Sequence, residues 1–171
     1  MRKIEETREI LNKVKPKSWR DIKDDMSNVE DILNEYDTIS KVGKDLVNIR
    51  GQNLSEALAT QPTEYAFFRR CVSNLKGIVE FMDALVKHNR GIKYQNIRTT
   101  ESKSNDINDR AINSIIDGDP DILEVTFKYL LVKEMYERFQ GILESYHQRG
   151  YALNNIVKVL IDAAALEYLI Q

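Results

Sequence analysis

Two unbroken heptad seams set the narrowest limits on what this chain can fold into. Tyr65, Phe68, Val72, Leu75, Val79, Met82 and Val86 follow one another at spacings of 3, 4, 3, 4, 3 and 4 residues. Val125, Tyr129, Val132, Tyr136, Phe139, Leu143 and Tyr146 run at 4, 3, 4, 3, 4 and 3. An apolar residue every 3.5 positions keeps one stripe of a helix turned toward a partner helix. A strand, with its period of two, would scatter the same residues onto both faces. The seams therefore predict an all-α fold of long, heptad-patterned antiparallel helices joined by shorter ones. An earlier seam, Ile22, Met26, Val29, Leu33 and Tyr36, changes phase before Ile39, Val42, Leu46 and Ile49, which predicts a bent or less regular helix there.

Seven glycines and three prolines leave little punctuation between these segments. Pro16 marks a break, and Ser18 is placed to cap a helix starting at Trp19. Pro62 suits a first helical turn, where its missing N–H costs nothing. Gly118 reads as a helix stop, followed by Asp119 as a cap with Pro120 at the first position. Gly150, after Arg149, reads as the next stop. Helices are expected over 3–14, 18–50, 53–59, 62–97, 105–117, 120–149 and 152–170, with a polar loop at 99–106. The corresponding division is an N-terminal helical extension (1–50), a core (51–150) and a C-terminal assembly helix (151–171). That last stretch, YALNNIVKVLIDAAALEYLI, is apolar around nearly its whole circumference, interrupted by Asn154, Asn155, Lys158, Asp162 and Glu167. Such a helix wants burial on every side. One small α domain hardly supplies that, so a subunit contact is the reading, with a plug for the monomer core as its rival.

Catalytic chemistry has few candidates. Cys71 is the only cysteine, which excludes a disulfide framework or a multi-cysteine metal site, and it sits in an apolar helical pattern as a buried thiol would. His88 and His147 lack metal-ligand spacing with each other. No GxxxxGK[ST] or GxGxxG phosphate cradle occurs. Asp117, Asp119, Asp121 and Glu124 resemble a magnesium cluster, but acids at a helix start are favoured by the dipole in any case. The expectation is a protein that is not an enzyme and holds no metal or cofactor. The opening MRKIEETREIL has acids where a signal peptide needs an apolar run, and the apolar runs are too short for a membrane span. A cytoplasmic location is expected.

Charge is distributed by segment. Residues 1–50 hold 11 basic and 11 acidic side chains, residues 51–103 hold 8 and 5, and residues 104–171 hold 6 and 11, giving 0, +3 and −5 for the stated net of −2. Within VKHNRGIKYQNIRTTESK (86–103), Lys87, Arg90, Lys93, Arg98 and Lys103 face a single acid, Glu101. On a helix these bases would follow the solvent side of the Tyr65–Val86 seam, and Arg69, Arg70 and Lys76 extend its basic character. Lysine and arginine supply counter-charge to phosphates, and a tyrosine stacks on an unpaired base. With no duplex-reading motif present, Lys87, Arg90, Lys93, Tyr94 and Arg98 are the candidate single-strand contacts. The bland alternative is a solvated helix end whose bases the dipole favours. Repetition of the patch around an oligomer would multiply a weak grip.

The run NDRAINSIIDGDPDILEVTFKYLLVKEMYERFQGILESYHQRGYALNNI resembles the phage recombination mediators of the UvsY type. Those proteins pair an acidic "GD" helix start with a long heptad helix, closed by the pattern met here at Ile142, Leu143, Ser145, Arg149, Gly150, Tyr151, Leu153, Asn155 and Ile156. ALATQPTEYAFF (57–68) is also similar to small phage proteins of this sort. The resemblance covers roughly residues 50–160. It implies a ring of six or seven subunits that binds single-stranded DNA. It also implies partners, a RecA-like recombinase and a single-strand-binding protein, in a phage-infected bacterial host. The family's DNA contacts include a Lys/Arg pair on the long helix before a glycine-containing turn, whose positional counterparts are Lys87 and Arg90. The expected function is a recombination mediator. Its rivals are a scaffolding coiled-coil oligomer with no nucleic-acid role and a protein-only adaptor using Trp19.

Overall fold

The computed structural model describes residues 2–23, 28–50, 52–101 and 108–170. Among them are five α-helices and one 3-10 turn, with no strand: α1 (Arg2–Lys13), the turn Trp19–Asp21, α2 (Asn28–Val47), α3 (Leu54–Glu101), α4 (Asp109–Asp117) and α5 (Pro120–Ile170). The all-α reading holds, but several boundaries differ. The expected breaks at Pro62 and Gly150 are absent. Both residues lie inside the long helices α3 and α5, so the segments expected as separate helices at 53–59 and 62–97, and at 120–149 and 152–170, are continuous. Thr99–Glu101 also belong to α3 rather than to a loop. Met26, Lys103 and positions 102–106 of the expected loop lie outside the described residues.

A proline in a helix interior costs about 3 kcal/mol, and Pro62 is itself exposed. Gln61, the residue before it, donates from Nε2 to the Tyr146 carbonyl at 2.7 Å. Gly150 explains itself by the same contact: a Cβ there would stand 3.2 Å from Gln61 Nε2. The glycine permits close approach, and no helix end requires it.

The apolar seams are real but rotated. On α3 the buried row is Phe68, Cys71, Leu75, Ile78 and Met82, and on α5 it is Val132, Met135, Phe139, Ile142, Tyr146 and Leu153. Phe68, Leu75 and Met82, and Val132, Phe139 and Tyr146, were in the expected rows. The alternating positions are Cys71 and Ile78 instead of Val72 and Val79, and Met135 and Ile142 instead of Tyr136 and Leu143. An apolar stripe wider than two rows leaves the phase ambiguous by one residue. On α2 the buried row Val29, Ile32, Tyr36, Ile39, Gly43 and Leu46 keeps spacings of 3, 4, 3, 4 and 3 with no change of phase. The expected phase change arose because a glycine fills one seam position. A Cβ on Gly43 would come within 2.8 Å of the Phe68 ring and 3.1 Å of Ile142 Cγ2.

The residues fall into two compact units, one of 1–16, 34–73 and 137–171, the other of 17–33 and 74–136. In the first, Phe68 stacks on Tyr146 with centroids 4.8 Å apart, and Tyr36 meets Phe139 edge-on at 5.3 Å. Arg149 is 2 % exposed and pairs with Glu64, itself 5 % exposed, at 3.1 Å. Arg149 also donates to Gln61, and to Gln52 at 2.9 Å. Arg8 of α1 reaches the other oxygen of Glu64 at 2.8 Å and is tied to Glu56 and Thr60 as well. Phe68 meets Phe139, whereas Gln61, seven residues earlier, meets Arg149 and Gly150, so α3 and α5 run antiparallel within this unit. In the second unit, Trp19 lies on Phe81 with centroids 6.2 Å apart, and Gly77 makes room for its indole. Ser18 begins the 3-10 turn rather than a long helix, its N–H donating to Asp21 at 2.7 Å.

Candidate nucleic-acid interface

The expected contact residues lie on the last third of α3, in the second unit. What holds them is α4. Asn108 caps that helix, its side chain accepting from the Ala111 N–H at 2.9 Å, and Gly118 ends it. Ile112 and Ile116 face inward and form a small apolar cluster with Ile122, against which Tyr94 and Ile97 pack. Burying each isoleucine contributes about 1.5–3 kcal/mol. Asp119 caps α5 as expected, with Oδ1 accepting from the Asp121 and Ile122 N–H groups at 3.1 and 3.4 Å.

This docking brings acids onto the bases. Arg90 meets Asp117 at 2.7 Å, Lys93 meets Asp119 at 2.5 Å, and Arg98 meets Asp109 at 2.6 Å. Lys87 pairs along its own helix with Asp83 at 2.6 Å. Tyr94 donates its hydroxyl to Asp109 at 2.7 Å and accepts from Arg98 at 3.1 Å. The structure thus corrects the placement of the row. Arg90, Lys93, Tyr94 and Arg98 reach carboxylates of α4 and the start of α5, whereas Lys87 pairs only along its own helix; Lys87 and Arg98 remain the most exposed of the four bases.

The electrostatics follow from these contacts. The Tyr94 hydroxyl and the Arg98 guanidinium hold the Asp109 carboxyl below its ordinary value of 3.8. Lys93 and the α5 cap amides do the same for Asp119. In return the hydrogen bond to Asp119 raises Lys93, that to Asp83 raises Lys87, and the contacts with Tyr94 and Asp109 raise Arg98. Four bases therefore meet four carboxylates, Asp83, Asp109, Asp117 and Asp119, and the local formal charge is zero.

No family model, curated protein or solved structure matches the chain.

Sequence reasoning missed the acidic partners, although the signal was present: the +3 segment is followed directly by one of −5, and opposite charges on consecutive antiparallel helices meet. It also missed a second aromatic group. In the first unit the His147 ring lies 4.8 Å from Tyr151 and 6.4 Å from Tyr65, beside a cleft of about 280 Å³ that Pro62 and Asn154 also line. Tyr151 is 57 % exposed, whereas Tyr94 is packed and hydrogen-bonded. Among the described residues no group of three or more His, Cys, Asp or Glu could hold a metal ion, and no helix is long and apolar enough to cross a membrane.

Proposed function

We propose that the protein is a non-enzymatic, self-assembling accessory protein that binds single-stranded DNA and helps load a RecA-like recombinase onto strands covered by single-strand-binding protein. The assembly half of this reading rests on the end of α5. Beyond Leu153 no described side chain through Ala165 is buried, and Ile156, Val159, Leu160 and Ile161 are 40, 66, 54 and 62 % exposed. Exposed apolar side chains grouped in this way support a contact with another chain. A second copy is the occupant that the resemblance implies. The strand-binding half rests on that resemblance and on the row of bases along α3. Lys87 to Arg98 spans 11 residues, about 16 Å of helix, long enough to meet several phosphates.

The mechanism is passive. Repeated basic rows around the assembly hold the strand, weaken the grip of single-strand-binding protein and present the strand to the recombinase. A scaffold without a nucleic-acid role is the second reading. The observation favouring it is that every one of the four bases already has a carboxylate partner.

Fluorescence anisotropy of a labelled single-stranded oligonucleotide, titrated at low and moderate salt with protein of known sedimentation behaviour, separates the two. Strand binding requires affinity that falls steeply with salt, by about 0.7 in log–log slope per phosphate neutralised. Lys87→Ala with Arg90→Ala should weaken binding and flatten the slope while leaving assembly intact. Assembled protein that binds nothing at low salt would leave the scaffold.

A further inference from the structure

We propose that α4 is a built-in competitor of the strand: Asp109, Asp117 and Asp119 hold the places on Arg98, Arg90 and Lys93 that phosphates would take. The inference rests on the strand-binding reading and says how that site is regulated. Three features carry it. The three bases project from one side of α3, and each is met by a carboxylate at 2.5–2.7 Å. A carboxylate and a phosphate offer a guanidinium or an ammonium the same acceptor chemistry. The competing acids also come from one short element, the nine-residue α4, and the cap residue two positions after it.

The apolar contact underneath makes the competition intramolecular. Ile112 and Ile116 hold α4 against Tyr94 and Ile97, so the carboxylates stay at high local concentration beside their bases. Two of the ion pairs are exposed on both partners, Arg90–Asp117 at 36 and 62 % and Arg98–Asp109 at 60 and 68 %, whereas in Lys93–Asp119 the lysine is 38 % and the aspartate 12 % accessible. Exposed pairs of this kind are weak and exchange readily. A strand therefore meets a patch with no net charge, and gains from the bases only as it displaces the acids. Contacts with several subunits at once would supply that drive, whereas a single stray phosphate would not. The device favours long strands over short anions and keeps the unassembled chain from binding nucleic acid.

The test is a triple variant, Asp109→Asn, Asp117→Asn and Asp119→Asn. Asparagine keeps an acceptor for Tyr94 and a good cap for α5, and the isoleucine contacts are untouched. Circular dichroism and thermal melting confirm that the fold survives. Local charge changes from zero to +3, because only Asp83 still faces the four bases. Full use of that charge steepens the salt slope for a labelled oligothymidylate by about 2, which is roughly 16-fold in affinity across a fourfold change in salt. A charge-matched control, Asp31→Asn, Asp45→Asn and Glu137→Gln, removes three exposed acids elsewhere and should gain far less. Adding Arg90→Gln, Lys93→Gln and Arg98→Gln to the first variant should abolish its gain.

Wild-type protein that binds the oligonucleotide, with a triple variant unchanged in affinity and slope, would overturn the competitor and leave strand binding standing. Equal gains in the triple variant and its control would overturn it too. If neither wild type nor triple variant binds at low salt, the strand-binding reading falls and takes the competitor with it.

Discussion

Replacing Arg149 by methionine removes a guanidinium that is 2 % exposed and leaves the carboxylate of Glu64, 5 % exposed, without its 3.1 Å partner. Methionine keeps an unbranched apolar stem of comparable reach, so the loss is chiefly electrostatic. Breaking a buried pair from one side costs about 3–5 kcal/mol. Arg8 still holds the other oxygen of Glu64 at 2.8 Å. The remaining pair places the effect near the lower end, about 3 kcal/mol. For a chain of this length that is a fall in Tm of about 6–12 °C, read by circular dichroism at fixed protein concentration. Glu64→Leu combined with Arg149→Met removes both charges and should cost less than Arg149→Met alone. A single variant within about 0.5 kcal/mol of wild type would refute the argument, since that is the effect of an ordinary surface substitution. The result also bears on the sequence pattern, because Arg149 and Gly150 are part of it. Here the arginine closes a buried network and the glycine admits Gln61, which are structural roles.

Three further outcomes follow from the same contacts. On the proposed self-assembly, Val159→Asp with Ile161→Asp, at positions 66 and 62 % exposed, should leave helicity unchanged and lower the sedimentation coefficient to that of a monomer; an unchanged sedimentation coefficient would refute assembly through the end of α5. The Cys71 thiol is fully buried and pushed up to about 12 by desolvation, so it should resist an aromatic disulfide reagent at pH 8 and react in urea; rapid native-state reaction would contradict that burial. Asp109 and Asp119 are more acidic in the fold than their ordinary 3.8, so the stability their pairs add to the apolar docking of α4 is complete above that pH and lost as pH falls through their lower folded values. Amide-exchange protection in α4 should therefore drop in acid before that in the middle of α3, and simultaneous loss would show that the carboxylates do not hold it.

Helix content, the two long heptad segments, the Asp119–Pro120 start and the Gly118 stop are all written locally. They depend on periodicity and on capping chemistry within a turn or two of each residue. The seam phase was legible only to one residue, because Val72 and Cys71, or Tyr136 and Met135, are equally apolar neighbours and the chain alone does not say which faces inward. Gly43 and Gly150 were opaque for a related reason. Each is explained by a side chain brought from elsewhere: Gln61 against Gly150, and Phe68 with Ile142 against Gly43. The candidate site shows the limit most directly. By itself the sequence placed four bases in one row and counted a net positive stretch. Only the tertiary structure decided that Asp109, Asp117 and Asp119 face three of them, because ion pairing depends on distance in space and the partners lie 11 to 27 residues away along the chain.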